Sequence, residues 1–79
     1  MAKDDPINVE YELKAKNLLK AELKRRGITY VELAKKLQER GVSENERNLT
    51  NKISRGSFTT AFFLLCMDVI GANMLQLET

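Results

Sequence analysis

Four glycine residues divide the 79-residue chain at nearly even intervals and limit what it can fold into. They lie at positions 27, 41, 56 and 71, about fifteen residues apart. Glycine commonly follows the last turn of an α-helix, because it enters the left-handed backbone region without a steric penalty from a Cβ atom. The spacing therefore predicts four short helices, each ending at one of these glycines.

The first predicted helix runs from Val9 to Arg26. Apolar residues recur in it at helical spacing and form a stripe along one face: Tyr11, Ala15, Leu18, Leu19 and Leu23. Basic side chains fill its last turn, where cations suit the negative end of the helix dipole. Residues 1–8 are interpreted as an N-terminal arm that precedes this helix.

Hydroxyl residues followed three positions later by glutamate mark the starts of the second and third helices. Thr29 precedes Glu32, and Ser43 precedes Glu46. This spacing is typical of a capping box, in which the hydroxyl accepts from an early amide and the carboxylate reaches back to the cap. The second helix then ends at Gly41.

The third helix, residues 43–55, has few apolar positions and three asparagines, which lower its intrinsic helix propensity. Leu49 and Ile53 form one narrow apolar stripe, and amide and guanidinium side chains occupy the opposite face. A helix that keeps residues of low helix propensity without a gain in stability indicates a functional surface.

The fourth helix is predicted from Thr59 to Ile70. It is apolar on nearly all sides, so we expect it to be the central, buried helix. The tail, residues 72–79, could form a short strand or a last helical turn. The sequence thus predicts an all-α bundle of four to five helices, with residues 9–71 as the one domain that a chain of this length can build.

The sequence contains no histidine and a single cysteine, Cys66. This composition excludes a serine or cysteine nucleophile activated by imidazole, and it excludes histidine metal ligands. One thiolate can build neither a zinc site nor an intramolecular disulfide. We therefore predict a protein that is not an enzyme and takes no cofactor or metal. The longest apolar run, residues 61–67, is too short to span a membrane, which favours a cytoplasmic protein without a membrane partner.

The formal net charge of +2 is unevenly distributed. Residues 11–26 carry a balance of +4 and residues 27–56 add +2, whereas residues 1–10 and 57–79 each carry −2. A positive region between acidic ends can attract a polyanion, although clustered lysines on a helix are more often a solvated face.

The order of these elements resembles a helix-turn-helix, in which short capped helices are joined by a turn containing glycine. The segments that carry the resemblance are Leu23-Lys24-Arg25-Arg26-Gly27-Ile28-Thr29, Glu32-Leu33-Ala34-Lys35-Lys36-Leu37, Ile53-Ser54-Arg55-Gly56 and residues 61–71. Together they resemble the XRE (lambda-repressor-like) family over roughly residues 18–71. The stretch from Arg47 to Gly56, with Ala61-Phe62-Phe63-Leu64, is more similar still to a small bacterial domain-of-unknown-function family with this shape.

The resemblance implies a sequence-specific DNA-binding protein, a transcriptional regulator that places the helix at residues 43–55 in the major groove of double-stranded DNA. Asparagine pairs bidentately with adenine and arginine with guanine. The candidate base-reading residues are Asn45, Arg47, Asn48 and Asn51. The candidate phosphate contacts are Thr29, Tyr30, Lys35, Lys52 and Arg55.

Two further interpretations remain open at this point. A non-catalytic protein–protein interaction module on the same fold is the alternative function, because fold does not determine function and Glu44 and Glu46 lie at the reading end of the helix. A single small domain rarely reaches operator affinity without dimerising. We therefore expect a homodimer contact through Met74, Leu75 and Leu77, unless these residues cover the chain's own core beside the first helix.

Overall fold

The computed structural model describes residues 5–75 and residue 77 of the chain. This part contains four α-helices: α1 (Pro6–Arg25), α2 (Tyr30–Glu39), α3 (Glu46–Arg55) and α4 (Thr60–Val69). α3 packs against α1 and α2, and α4 packs against the same two helices. The predicted all-α fold is confirmed. For the tail the sequence predicts either a short strand or a last helical turn; residues 72–75 form neither, and of residues 76–79 only residue 77 is described.

The four glycines follow the four helices, and all have a positive φ angle. The predicted helix ends are therefore confirmed. Gly56 is itself the C-cap residue of α3, with φ +68°. The other three come one residue after a cap residue that still has right-handed or near-right-handed backbone.

α1 begins at Pro6, three residues earlier than predicted. Proline suits the first helical turn because its fixed φ is already helical and its missing N–H would have no partner there. The backbone N–H of Val9 donates to the carbonyl of Asp5 at 3.1 Å and closes the first turn. Residues 6–8, interpreted above as part of an arm, thus belong to α1, whereas residues 1–4 lie outside the described part.

The start of α2 matches the prediction, and the start of α3 does not. Thr29 is the N-cap of α2 in a complete capping box with Glu32. The predicted box between Ser43 and Glu46 is wrong, because the N-cap of α3 is Asn45. α3 consequently begins at Glu46, and residues 43–45, expected to be helical, form the extended approach to it.

All four helices contribute side chains to one core. The largest fully buried side chains are Leu19, Leu33, Leu37, Leu49, Ile53 and Cys66. The expectation that α4 would be the central, buried helix is wrong: Cys66 and Met67 are its buried residues, and Leu64 is 60% exposed. α4 packs on α1 and α2 with one side and leaves the other open. Within the described residues, no helix combines the length and apolar character that a membrane span requires.

Candidate nucleic-acid interface

α3 presents a polar face to solvent and buries a narrow apolar stripe. Leu49 and Ile53 are its buried side chains. At about 3.6 residues per turn, Arg47 and Asn51 point in the opposite direction, and both are exposed. Asn48, also exposed, lies on one flank of this face. The helix therefore buries two side chains on one side and exposes the opposite side to solvent.

The main side chains of this face are not used inside the domain. Among the described residues, none forms a side-chain hydrogen bond or ion pair with the guanidinium groups of Arg47 and Arg55 or with the amide of Asn51. All three side chains are exposed. A polar side chain that is buried or already paired has a role in the fold. These three side chains are neither buried nor paired, so they are free to contact a ligand.

The predicted base-reading residue Asn45 has a structural task. Its side-chain Oδ1 accepts a hydrogen bond from the backbone N–H of Asn48 at 2.8 Å, which caps α3. The Asn45 backbone carbonyl also accepts from the N–H of Leu49 at 3.0 Å. The cap fixes the orientation of Asn45 and leaves its amide NH₂ group as the part that could contact a base. The side chain of Asn48 keeps both its donor and acceptor groups.

Lys52, predicted to contact phosphate, is held by a buried carboxylate. Its Nζ donates to Oε2 of Glu44 at 2.7 Å, and the Glu44 side chain is only 6% exposed. The same Nζ lies 4.7 Å from the ring centroid of Phe62, within cation–π distance. The ammonium charge of Lys52 is therefore largely compensated inside the domain before any ligand arrives.

The segment before α3 is fixed to α2 as well. Nε2 of Gln38 donates to the backbone carbonyl of Glu44 at 2.7 Å. This hydrogen bond and the Lys52 ion pair hold Glu44 from two sides, so the position of α3 relative to α2 depends on it. Sequence reasoning missed this role of Glu44, because neither partner lies within the reach of a local motif.

The N-terminus of α2 holds two of the predicted phosphate contacts. The hydroxyl of Thr29 accepts from the N–H of Glu32 at 3.2 Å and donates to its Oε1 at 3.1 Å. The Glu32 carboxylate also accepts from the N–H of Thr29 at 3.1 Å. Hydrogen bonds from the Thr29 backbone and side chain lower the pKa of Glu32, so a negative charge occupies this helix end. Thr29 is a cap first, and any phosphate here would meet that carboxylate.

Tyr30 is the first residue of α2, and Lys35 lies more than one turn further along the helix. Tyr30 is half-buried and packs against the core, and burial raises the pKa of its phenol. It therefore stays protonated at neutral pH and could donate a hydrogen bond. Lys35 is exposed. Of the five predicted phosphate contacts, Lys35 and Arg55 are the two whose charges have no partner in the described residues.

A cleft of about 580 Å³ opens beside the polar face of α3. Asn48, Asn51 and Arg55 line it from α3, and Phe58 and Phe62 line it from the other side. With Lys52, which also lines the cleft, the structure brings four of the predicted residues to one concave surface. Arg47 does not line this cleft and lies on the outer face of the helix. In the part of the chain that is described, no three histidine, cysteine, aspartate or glutamate residues come together as metal ligands.

Comparison with known families assigns most of the chain to one of them. Residues 11–75 match the family described as "Domain of unknown function (DUF6471)". The chain belongs to this family. The match includes most of α1 and all of α2, α3 and α4, so the polar face of α3 and the cleft beside it lie within the family domain. No curated protein and no solved structure matches the chain.

Proposed function

We propose that this domain binds double-stranded DNA in a sequence-specific manner, with α3 in the major groove. One observation carries the proposal: α3 is capped and packed through Leu49 and Ile53, while Arg47, Asn51 and Arg55 are exposed and unpaired within the described residues. An α-helix fits the width of the major groove and can present such side chains to base edges. None of these three side chains caps α3 or packs it against the core, so α3 does not need them to hold its position.

Arg47 and Asn51 are the proposed principal base-reading residues. They lie four positions apart, one helical turn, on the side of α3 away from the core. Arginine binds guanine through O6 and N7, and asparagine binds adenine through N6 and N7. Asn48 lies on the flank toward the cleft, and Asn45 would contribute only its NH₂ group. We therefore expect sequence preference to depend most on the first two residues.

The proposed phosphate contacts are fewer than the sequence analysis expected. Arg55 and Lys35 supply uncompensated charges, and the Tyr30 hydroxyl can donate a hydrogen bond. Lys52 and Thr29 already have partners in Glu44 and Glu32. Each fully neutralised phosphate contributes about 0.9 to the slope of log affinity against log salt. We expect a shallower slope than the −4 to −5 that four to six phosphate contacts would give.

The finer assignment, a transcriptional regulator resembling the XRE (lambda-repressor-like) family, rests on sequence motifs and on four helices in a matching order. In that arrangement α2 crosses the DNA backbone and α3 is the recognition helix. We propose a regulatory, non-catalytic role without cofactor or metal, acting in the cytoplasm.

Fluorescence anisotropy with a labelled random-sequence duplex tests the proposal. The protein should bind at about 50 mM salt and lose affinity by about tenfold toward 200 mM, as two phosphate contacts would give. Arg47→Ala and Asn51→Ala should each weaken binding to a selected site by about 1–3 kcal/mol. Lys20→Ala, which removes an exposed lysine of α1, is the control for net charge alone and should have a much smaller effect. A folded protein that binds no duplex at about 50 mM salt would overturn the proposal.

One observation favours a protein-interaction module as the second candidate. Nine large apolar side chains are exposed in the described residues, and all but Val31 lie on α1, α4 or the C-terminal tail. Such residues can bind a protein partner. If this were the sole function, Arg47→Ala and Asn51→Ala would leave partner binding unchanged, and substitutions on α4 or the tail would abolish it.

A further inference from the structure

Three adjoining concavities form one apolar groove along α1, α4 and the C-terminal tail. The first lies beside Leu13 and Leu77 and has a volume of about 290 Å³. It shares Leu18 with the second, which shares Phe63 and Leu75 with the third. The shared residues make the surface continuous. We refer to it as the apolar groove.

Side chains along the apolar groove are far more exposed than apolar residues of a closed core. Leu13 is 52% exposed, Leu64 60%, Met74 82% and Leu77 58%. Of the tail, Leu75 and Leu77 lie beside α1, as one interpretation of the sequence expected, yet Met74, Leu75 and Leu77 stay exposed. Monomeric proteins rarely leave a continuous apolar surface of this kind uncovered.

Elsewhere in the described residues, exposed large apolar side chains are nearly absent. Val31, on α2, is the one large apolar side chain exposed in the described residues outside α1, α4 and the tail. α3 exposes none. The apolar groove reaches the cleft beside α3 at Phe58 and Thr59, which line both, whereas Arg47 lines neither.

The rim of the apolar groove carries opposite charges from the same helix. Glu10 and Lys14 both line its first concavity. Although they are four residues apart on α1, no ion pair joins them within the described residues, and Nζ of Lys14 lies 5.6 Å from the Tyr11 ring centroid instead. A two-fold axis perpendicular to α1 that passes between Glu10 and Lys14 would pair the two helices antiparallel and place Glu10 of each copy opposite Lys14 of the other.

We propose that a second copy of this chain covers the apolar groove in a two-fold symmetric homodimer. In a two-fold interface, a surface patch of one copy packs against the identical patch of the other copy. A patch that has an apolar strip and carries one acidic and one basic side chain on its rim is complementary to itself. A stable interface buries about 800 Å² per partner, roughly a seventh of this chain's accessible surface of 5638 Å². A two-fold interface of that size has to include the exposed apolar side chains of α1, α4 and the tail as well as the groove between them. The proposal does not depend on DNA binding.

Sedimentation equilibrium of the full chain without DNA tests the dimer directly. The wild type should have twice the chain mass of 9.0 kDa at micromolar concentration. Leu64→Lys places a charge in the groove at an exposed position and should weaken association by at least about 100-fold. Val31→Lys is the matched control on α2 and should associate like the wild type. Circular dichroism verifies that both variants are folded.

Exchanging the charges of Glu10 and Lys14 distinguishes a second copy of the chain from any other occupant of the groove. Both side chains are exposed, so the substitutions should not affect folding. Glu10→Lys alone should weaken the dimer by about tenfold, because two unfavourable contacts arise from one substitution. Adding Lys14→Glu should restore wild-type association. Any of four results would overturn the proposal. The wild type could be monomeric at about 200 μM, or its dimer could be unaffected by Leu64→Lys. Val31→Lys could weaken association as much as Leu64→Lys, or the double variant could fail to restore it. The first of these would be the result if a different protein or the chain's own ends covered the groove.

Discussion

Gly56 lies directly against the backbone of Glu12. A Cβ atom on Gly56 would lie 2.1 Å from the carbonyl oxygen of Glu12 and 2.7 Å from its carbonyl carbon. The backbone of Gly56 is also left-handed, with φ +68°. The end of α3 therefore meets the middle of α1 at a distance that only glycine allows, and this contact helps to set where the polar face of α3 stands.

Gly56→Ala should be strongly destabilising for two additive reasons. The left-handed backbone costs an alanine about 1–2 kcal/mol, and the clash with Glu12 adds a cost of about 1–3 kcal/mol for overpacking. Gly41→Ala is the matched control: its φ is +85°, but nothing lies within 4 Å of the added Cβ. Urea unfolding followed by circular dichroism should give a free energy of unfolding lowered by about 2–5 kcal/mol for Gly56→Ala and about 1–2 kcal/mol for Gly41→Ala. Equal losses would show that the contact with Glu12 carries no cost.

The thiol of Cys66 should be chemically inert in the folded protein. Its side chain is fully buried in the core. Burial raises the pKa of the thiol to about 12, and the negative charge of Glu44 adds to the effect. Because the thiolate is the reactive form, only on the order of 10⁻⁴ of the thiol is available at pH 8. Ellman's reagent should therefore modify Cys66 slowly in native protein and rapidly in guanidinium chloride. Equally fast reaction in both would contradict the buried position.

The capping box of α2 should make stability depend on pH in the acid range. The Thr29 hydrogen bonds lower the pKa of Glu32 in the folded protein below its ordinary value of 4.5. A carboxylate with a lowered folded pKa stabilises the fold above its unfolded pKa and loses this contribution as the pH falls through the folded pKa. The stability difference between wild type and Glu32→Gln should therefore be constant near neutral pH and shrink below about pH 4.5.

Chemical denaturation of both proteins between neutral and strongly acid pH measures this difference. Ser57→Ala, at an exposed position outside the box, is the control whose difference from wild type should not change with pH. A difference for Glu32→Gln that stayed constant down to the acid limit would mean that the box does not hold the charged carboxylate.

Local signals account for the parts of the fold that the sequence predicts well. The four helix ends need only a glycine that can adopt a positive φ, and the start of α2 needs only Thr29 and Glu32 three residues apart. Arg47 and Asn51 are also predictable as free side chains, because the positions of Leu49 and Ile53 define the buried side of α3. Each of these inferences uses residues within about one helical turn of each other.

The start of α3 and the state of Lys52 depend on contacts across the fold. Ser43 and Asn45 are both good N-cap residues, so the local sequence does not choose between them. The structure chooses Asn45 because Glu44 is held inward by Lys52 and Gln38, which keeps the backbone extended through Asn45 at φ −145° and ψ 171°. A local pattern cannot show that a lysine eight residues away is already paired.

The different surroundings of Lys52 and Arg55 predict that removing the Lys52 charge destabilises the fold and that removing the Arg55 charge does not. Lys52→Met leaves the carboxylate of Glu44 buried without a cation and should lower the free energy of unfolding by about 1–3 kcal/mol, since Lys52 itself is partly exposed. Arg55→Met, at an exposed and unpaired position, should change it by less than about 0.5 kcal/mol. Urea unfolding compares the two variants.

The order should reverse in DNA binding, if α3 contacts DNA as proposed. Arg55→Met should reduce the slope of log affinity against log salt by about 1, whereas Lys52→Met should leave it nearly unchanged because Glu44 already compensates that charge. The double variant Glu44→Gln with Lys52→Met removes both charged partners and should recover part of the lost stability. It therefore shows whether a binding defect of Lys52→Met comes from misfolding. A slope that falls equally for Lys52→Met and Arg55→Met would show that Lys52 leaves Glu44 to contact phosphate, and Glu44→Gln alone would then strengthen non-specific binding by freeing the lysine.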